Sequence, residues 1–358
     1  MHAPPPAWRL PVVVLVAGAL VCWLWPGHLG LWTRLFTTAL LVLSLDLMVG
    51  VAGLATLGHA ALFGTGAYAA GLLALHLNPD PLVGLVAGAS AGALLACLSG
   101  AFLLRYQGFT FLMLTVAVAQ IVLSLAQKAR DWTGGDDGLS GYLIGPLPGG
   151  LAFDLEGRVA AGYTLALLCL ALWVCGRWLA SPHGLSVQGI HQNRARMAAL
   201  GTPVRARLLA VVTASGALAG VAGAASAQVN AVVGLDTLGF GLSAELLVML
   251  VLGGAGRLRG AVIGAAAFTL LHHSAAAFNP YHWMFAVGAV LMAVVLLPPE
   301  RWAPWLRQHL AAVWPTRKAS APAVEAPVAP AAPRSASPST PTPTSTSTST
   351  AQPSGVSP

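Results

Sequence analysis

The stretch from Asp46 to Tyr68 reads DLMVGVAGLATLGHAALFGTGAY. It holds one carboxylate, one imidazole and no lysine or arginine, and it continues an apolar run that begins near Thr33. A membrane-crossing helix needs about 20 mostly apolar residues, so the run from Thr33 to His76 has length for two. Gly50, Gly53 and Gly58 interrupt its middle. The reading is a pair of spans, roughly 33–54 and 57–76, that meet at a glycine-rich break. Broken helices survive at membrane depth only where protein or a cavity surrounds the freed backbone groups. The stretch therefore points to an all-α polytopic membrane protein.

Working outward, the chain has 358 residues, of which 56% are hydrophobic and 8% charged. Its mean hydropathy is +0.75. Soluble domains carry about 25% charged residues, so a soluble enzyme, a nucleic-acid-binding module and a disordered chain are excluded. Further apolar segments lie at roughly 10–26, 82–104, 109–127, 159–179, 208–229, 242–256, 260–278 and 281–298, about ten spans in all. A second glycine-rich juncture, Gly253 to Gly264 (GGAGRLRGAVIG), joins two of them, and broken or re-entrant segments are expected there as well. The first segment ends in Trp23-Leu24-Trp25-Pro26, without the small residues of a signal-peptide cleavage site, and is read as a retained helix.

Cytoplasmic loops carry the excess of Lys and Arg. With ten spans and both termini inside, fourteen of the eighteen bases fall in the cytoplasm, including Arg105, Arg177, Arg194, Arg196, Arg205 and Arg207. Arg34, Lys128, Arg130 and Arg158 fall outside. The net charge of +7 is thus a topology signal, and no nucleic-acid partner is expected. Trp25, Trp32, Trp132 and Trp283 group near the outer interface, and Trp8, Trp178 and Trp302 near the inner one. Residues 1–315 form the transmembrane domain, with a periplasmic loop at about 128–158 and a polar cytoplasmic loop at about 180–207. Residues 316–358 are almost all Pro, Ala, Ser, Thr and Val, a composition that cannot offset its ordering entropy; a disordered cytoplasmic tail is expected.

No GxxxxGK[ST] and no HExxH occur, so no P-loop nucleotide site and no zincin site is expected. Cys22, Cys97, Cys169 and Cys175 all lie in apolar runs and are read as small hydrophobes. His272-His273 lacks a third ligand at useful spacing and is read as lying at a polar helix end; no metal is expected. Two acids lie well inside spans, Asp46 and Glu245. A charge there costs about 2.5–3.5 kcal/mol on insertion scales, so each either lines a pathway or bonds exposed backbone at a helix break. His59 is read as satisfied by a nearby carbonyl. Asp46, Thr56, His59, Gly64, Gly66 and Glu245 are the pathway candidates. In the polar inner loop a helical pattern runs from Val187 to Leu200 and stops at Gly201, a natural C-cap.

At these residues the chain resembles the LivM-type permeases of branched-chain amino acid ABC transporters, over roughly residues 33–298. Four motifs carry the resemblance. They are Asp46 through Tyr68, with Leu57-Gly58-His59-Ala60 and Gly64-Thr65-Gly66-Ala67-Tyr68; LTVAVAQ, from Leu114 to Gln120; TGGDDGL, from Thr133 to Leu139; and the long late pattern from Gly239 to Gly264. The resemblance implies one permease subunit of a binding-protein-dependent importer in the bacterial inner membrane. Its partners would be a second, LivH-like permease, two cytoplasmic ABC ATPase subunits and a periplasmic substrate-binding protein. No catalytic residue and no cofactor is implied in this chain, since ATP and Mg would sit on the ATPases. The segment from Gln188 to Gly201 resembles the family's coupling loop, which makes Gln188, His191, Asn193, Arg194, Arg196, Ala199 and Gly201 the expected ATPase-coupling residues.

The chain departs from the family pattern in places. Asp46 stands where Asn is usual, Gln120 where Glu is usual, and the coupling loop has His191-Gln192 and Ala198 where the family places acids. Urea or short amides are the alternative substrates, a stand-alone secondary transporter or channel is the rival transporter class, and an integral-membrane enzyme is the rival outside transport. That enzyme would have to use Asp131, Asp136 and Asp137, which are read as a glycine-shaped turn.

Overall fold

The computed structural model describes residues 9–146 and 157–278, together with residues 288, 289 and 292. Most of the tenth expected span, part of the periplasmic loop, and the C-terminal tail lie outside the described residues, as do Trp8, Trp283 and Trp302.

The described part begins with α1 (Arg9–Leu24) and a single 3-10 turn (Pro26–His28), then enters α2 (Leu29–Asp46). Helix α2 does not stop at Asp46. It widens into a π-helical turn, Leu47–Val51, before the chain breaks over residues 52–58. Helix α3 (His59–His76) returns across the bundle. Asp80 caps α4 (Pro81–Leu103) by accepting a hydrogen bond from the Leu82 amide at 2.9 Å, with Pro81 in the first turn where its missing N–H costs nothing. Helix α5 (Phe109–Lys128) leads into the short α6 (Arg130–Thr133).

The TGGDDGL segment forms the expected turn. Gly134, Gly135 and Gly138 adopt positive φ around a 3-10 turn and deliver strand β1 (Leu139–Ser140). After α7 (Arg158–Leu179) come α8 (Pro182–Gln192), α9 (Arg194–Ala199) and α10 (Val204–Asn230). Strand β2 (Val232–Val233) pairs antiparallel with β1, Leu139 opposite Val233. Helices α11 (Phe240–Gly253) and α12 (Leu258–Phe278) end the described part.

Among the described residues five helical segments are long and apolar enough to cross a membrane: Pro26–Val51, α4, α5, α7 and α10. The count is six if α11 and α12 are one broken span, for the chain turns through 116° between them. Helix α11 has 14 residues, about 21 Å at 1.5 Å per residue, which is less than the roughly 30 Å hydrocarbon core. The expected break is therefore present at Gly254–Arg257.

Burial ranks the helices. The Pro26–Val51 segment is 78% buried, whereas α4 and α5 are each 22% buried. Helix α2 is the axis, packed by α7, α10, α11 and α12, and α10 in turn packs on α3 and α4. Backbone-to-backbone contact makes the second cluster possible. Gly84, Gly88, Gly92, Ala96 and Gly100 repeat every fourth residue on the buried face of α4. A Cβ built on Gly220 of α10 would fall on the Gly88 carbonyl, and one on Gly66 of α3 would fall on Gly220. Small residues let helices approach closely where lipid offers no hydrophobic drive.

The two ends of the bundle differ. At one, β1 and β2 pair, the Tyr142 hydroxyl donates to the Ala227 carbonyl at 2.8 Å, and the Gly145 amide donates to the Pro79 carbonyl at 2.9 Å. At the other lie the 52–58 break, α8, α9 and the α11–α12 turn. Arg105, Arg177, Arg194, Arg196, Arg205, Arg207, Arg257 and Arg259 belong to this arginine-rich end, and Lys128, Arg130 and Arg158 to the strand end.

Gly220→Val should overpack the α10 contact with α4 and lower stability by about 1–3 kcal/mol. Gly162→Val on α7, where nothing lies within 4 Å of an added Cβ, should leave it nearly unchanged. Thermal unfolding of the detergent-solubilised chain compares the two.

Candidate functional site

The 52–58 break frees backbone amides inside the bundle, and several of them are met by a named partner. The Leu54 amide returns to the Met48 carbonyl at 2.9 Å. The Leu57 amide donates to Thr115 Oγ1 of α5 at 3.3 Å, and the Gly58 amide to Thr56 Oγ1 at 3.2 Å. The Ala60 amide, in the first turn of α3, donates to Ser243 Oγ of α11 at 3.0 Å. Thr56, Thr115 and Ser243 are all buried. Beside the break is a cavity of about 30 Å³ lined by Thr56, Gly58, Ser99, Phe111 and Thr115, room for about one water.

His59 is buried and closes this knot. Its Nε2 lies 2.7 Å from Ser44 Oγ, while the Ser44 hydroxyl donates to the Leu41 carbonyl at 2.6 Å. With the serine proton so committed, Nε2 carries the imidazole hydrogen and donates it to Ser44 Oγ. The expected carbonyl partner is thus corrected to a hydroxyl on the neighbouring helix. Nδ1 is left buried as an acceptor without a partner among the described residues. Ser215 of α10 fastens the same turn, donating to the Ser44 carbonyl at 2.6 Å.

Asp46 serves the other break. Its Oδ1 accepts from the Gly256 amide at 2.6 Å, across 210 residues of sequence. Gly256 has φ +82, and a Cβ on Gly50 would fall on both Asp46 Oδ1 and the Gly256 backbone. The π-helical turn of α2 and the α11–α12 turn can meet this closely only because both positions lack side chains. Asp46 is fully buried, and its Oδ2 has no partner among the described residues. Of the two readings open for Asp46, the hydrogen bond to broken backbone is present.

The inner loop packs into the same region. Ser181 caps α8, and Val187 and Ile190 insert one face of it into the bundle core. The single helix expected from Val187 to Leu200 is two helices. Asn193 takes an extended conformation, ends α8, and caps α9 through Oδ1, which accepts from the Arg196 amide at 2.9 Å. Gly201, at φ +79, terminates α9 as expected. Gln188 and Arg194 are half-buried, whereas His191, Arg196 and Ala199 are exposed. The His191 ring lies against the break: an added Cβ on Gly53, itself at φ +69, would sit 2.8 Å from His191 Nδ1. His183 Nδ1 accepts from Arg207 Nη1. Burial, and then the adjacent guanidinium, hold the His183 ring below its ordinary pKa.

Other candidates sit apart. Gly64 and Gly66 make close packing contacts, with Leu238 and with Gly220. Glu245 is half-buried on α11 near the strand end and feels the charge of Arg34. His272 and His273 lie within α12 instead of at its end, and His273 meets His28 with ring centroids 6.1 Å apart. All four cysteines are free. Among the described residues no three His, Cys, Asp or Glu side chains come together to hold a metal. Sequence reasoning did not single out Ser44, Thr115, Ser215 or Ser243; Thr115 and Ser243 lie within quoted motifs, whereas Ser44 and Ser215 are lone hydroxyls in apolar runs. It also missed the α4 stripe, whose four-residue repeat of small residues was visible.

A bundle of apolar helices with one break stitched by buried hydroxyls and the other by a buried carboxylate defines a polytopic membrane protein. Residues 28–295 match the family model described as branched-chain amino acid transport system, permease component, and the chain belongs to that family. It is 28% identical to the high-affinity branched-chain amino acid transport system permease protein LivM of Escherichia coli K12, over 83% of this chain and 76% of that one. It is 29% identical to the protein of the same name from Salmonella typhimurium LT2, with the same coverage. No solved structure matches the chain.

Asp46→Ala should free the Gly256 amide and speed its hydrogen exchange about 10- to 100-fold, the worth of a bond to a charged acceptor. Asp46→Asn, which keeps an acceptor oxygen, should change it little. For His183 the folded ring favours the neutral form, so the unfolded chain binds more protons below about pH 6.5. Stability should be full above that pH and fall on acidification toward pH 5, and His183→Asn should flatten the slope of thermal stability against pH.

Proposed function

We propose that this chain is a transmembrane permease subunit of a binding-protein-dependent ABC importer for branched-chain amino acids. It forms the translocation pathway with a second permease. Two cytoplasmic ATPases supply the energy, and a periplasmic binding protein delivers the substrate. The chain lies in the bacterial inner membrane as about ten segments, with both termini and the arginine-rich end in the cytoplasm. That end carries eight arginines, and positive residues gather on the cytoplasmic side.

One observation carries the mechanism: α8 reaches from the arginine-rich surface to the 52–58 break. Val187 and Ile190 fix it in the core, and His191 abuts Gly53. A push on α8 and α9 from an ATPase is therefore delivered to the π-helical turn of α2. From there Asp46 passes it to Gly256 and to the α11–α12 turn. Gln188, Asn193, Arg194, Arg196, Ala199 and Gly201 form the ATPase-facing element, with Leu185 and Leu200 as its exposed apolar contacts. Asp46 Oδ2 and His59 Nδ1, both buried without partners, are poised to gain partners in a second arrangement of the breaks. Thr56, Gly64, Gly66 and Glu245 line or support the path.

The test is reconstitution with the partner subunits. Leucine uptake should require ATP and the binding protein, and should survive collapse of ion gradients; uptake driven by a gradient without ATP would make the chain a secondary transporter. Arg194→Glu with Arg196→Glu should cut ATPase co-purification several-fold with membrane insertion unchanged. Full co-purification and continued transport would remove α9 from the coupling role.

A further inference from the structure

At the arginine-rich end, between the last turn of α4 and the first turn of α10, is an open cavity of about 210 Å³. It is lined by Ala101, Leu104, Arg105, Arg205, Ala206 and Leu209. Its chemistry is two-sided, with four apolar side chains and two guanidiniums. Neither Arg105 nor Arg205 forms an ion pair or side-chain hydrogen bond among the described residues, where the one ion pair, Arg130–Asp136, lies at the strand end. The only acid described at the arginine-rich end is Asp46, which is buried and bonded to Gly256. Arg205 also sits in the first turn of a 27-residue helix, where the helix dipole repels a cation and attracts an anion. No described acid balances the charge of this cavity.

The surroundings indicate what balances it. Leu94, Leu98 and Ala101 fall at i, i+4 and i+7, one face of α4, and Arg105 follows in the turn two residues past its end. Leu94 and Leu98 are 62% and 65% exposed, so an apolar track leads along the helix to the guanidiniums. Phe102 and Tyr106, ring centroids 6.0 Å apart, flank the same turn, and a tyrosine hydroxyl favours headgroup depth. A free anion would leave the four apolar walls bare. An amphiphile with an anionic phosphate head matches both halves, since basic clefts between helices on the cytoplasmic side suit such heads.

We propose that the α4–α10 cleft is a binding site for an anionic phospholipid, its phosphate held between Arg105 and Arg205 and an acyl chain lying along Leu98 and Leu94. The site rests on the bundle spanning a membrane and is independent of the solute carried. A chain absent from the membrane fraction would undo that reading; the outcomes below concern the lipid alone.

Native mass spectrometry of the full-length chain in detergent, with equal phosphatidylglycerol and phosphatidylcholine added, tests it. Phosphatidylglycerol should be retained preferentially. Arg105→Gln with Arg205→Gln should lower that retention roughly ten- to thirty-fold, two basic contacts of about a kcal/mol each. Arg105→Lys with Arg205→Lys should keep most of it. Arg257→Gln with Arg259→Gln, which removes the same charge nearby, should keep it all, and excess inorganic phosphate should not displace the lipid. Equal retention of both lipids by the unaltered chain, or full retention by the glutamine variant, would overturn the site. Displacement by phosphate would make it a free-anion site. Loss of ATPase co-purification with lipid retention intact would make it a protein-docking surface.

Discussion

A peptide N–H or C=O in hydrocarbon must find a partner inside the protein, because no water is there to replace it. An unbroken helix meets this demand by itself. This bundle interrupts two helical runs, at residues 52–58 and 254–257, and the arrangement of its polar side chains follows from that choice. Thr56, Thr115 and Ser243 cover amides freed at the first break, and Asp46 covers one at the second. Without these partners each break would cost several kcal/mol per orphaned group.

The same bonds join elements that are remote in sequence. Ser243 ties α11 to the start of α3, and Asp46 ties α2 to the α11–α12 turn. His191 brings α8 against the first break. A surface helix, the axial helix and the bent pair thus share one polar seam, while the α3, α4 and α10 cluster, packed through glycine and alanine, forms a stiffer body beside it. A seam of single hydrogen bonds is cheaper to rearrange than a backbone-to-backbone helix contact, which suits the conformational role proposed above.

Much of this was legible in the sequence, for identifiable reasons. Long apolar runs and glycine clusters revealed the helices and both breaks, and TGGDDGL revealed its turn. Asp46 stood out because a carboxylate in an apolar run is expensive. Its partner did not, since Gly256 lies 210 residues away and offers only a backbone amide. The split of the inner loop at Asn193 was hidden because a helical pattern continues across it, and only the capping geometry shows the stop. The usual Asn in place of Asp46 now has a physical sense. An amide oxygen can accept from Gly256 as a carboxylate does.

The central claim of the proposed function is that the Asp46–Gly256 bond transmits motion from α8 to the α11–α12 turn. The direct measurement is the number of ATP molecules hydrolysed per leucine taken up by the complete complex in liposomes, for the unaltered chain, Asp46→Asn and Asp46→Ala. The account predicts that the asparagine variant keeps the ratio. The alanine variant should assemble and hydrolyse ATP while uptake falls at least about ten-fold, in line with loss of a bond to a charged acceptor. An unchanged ratio in an alanine variant whose Gly256 amide has been freed would contradict it.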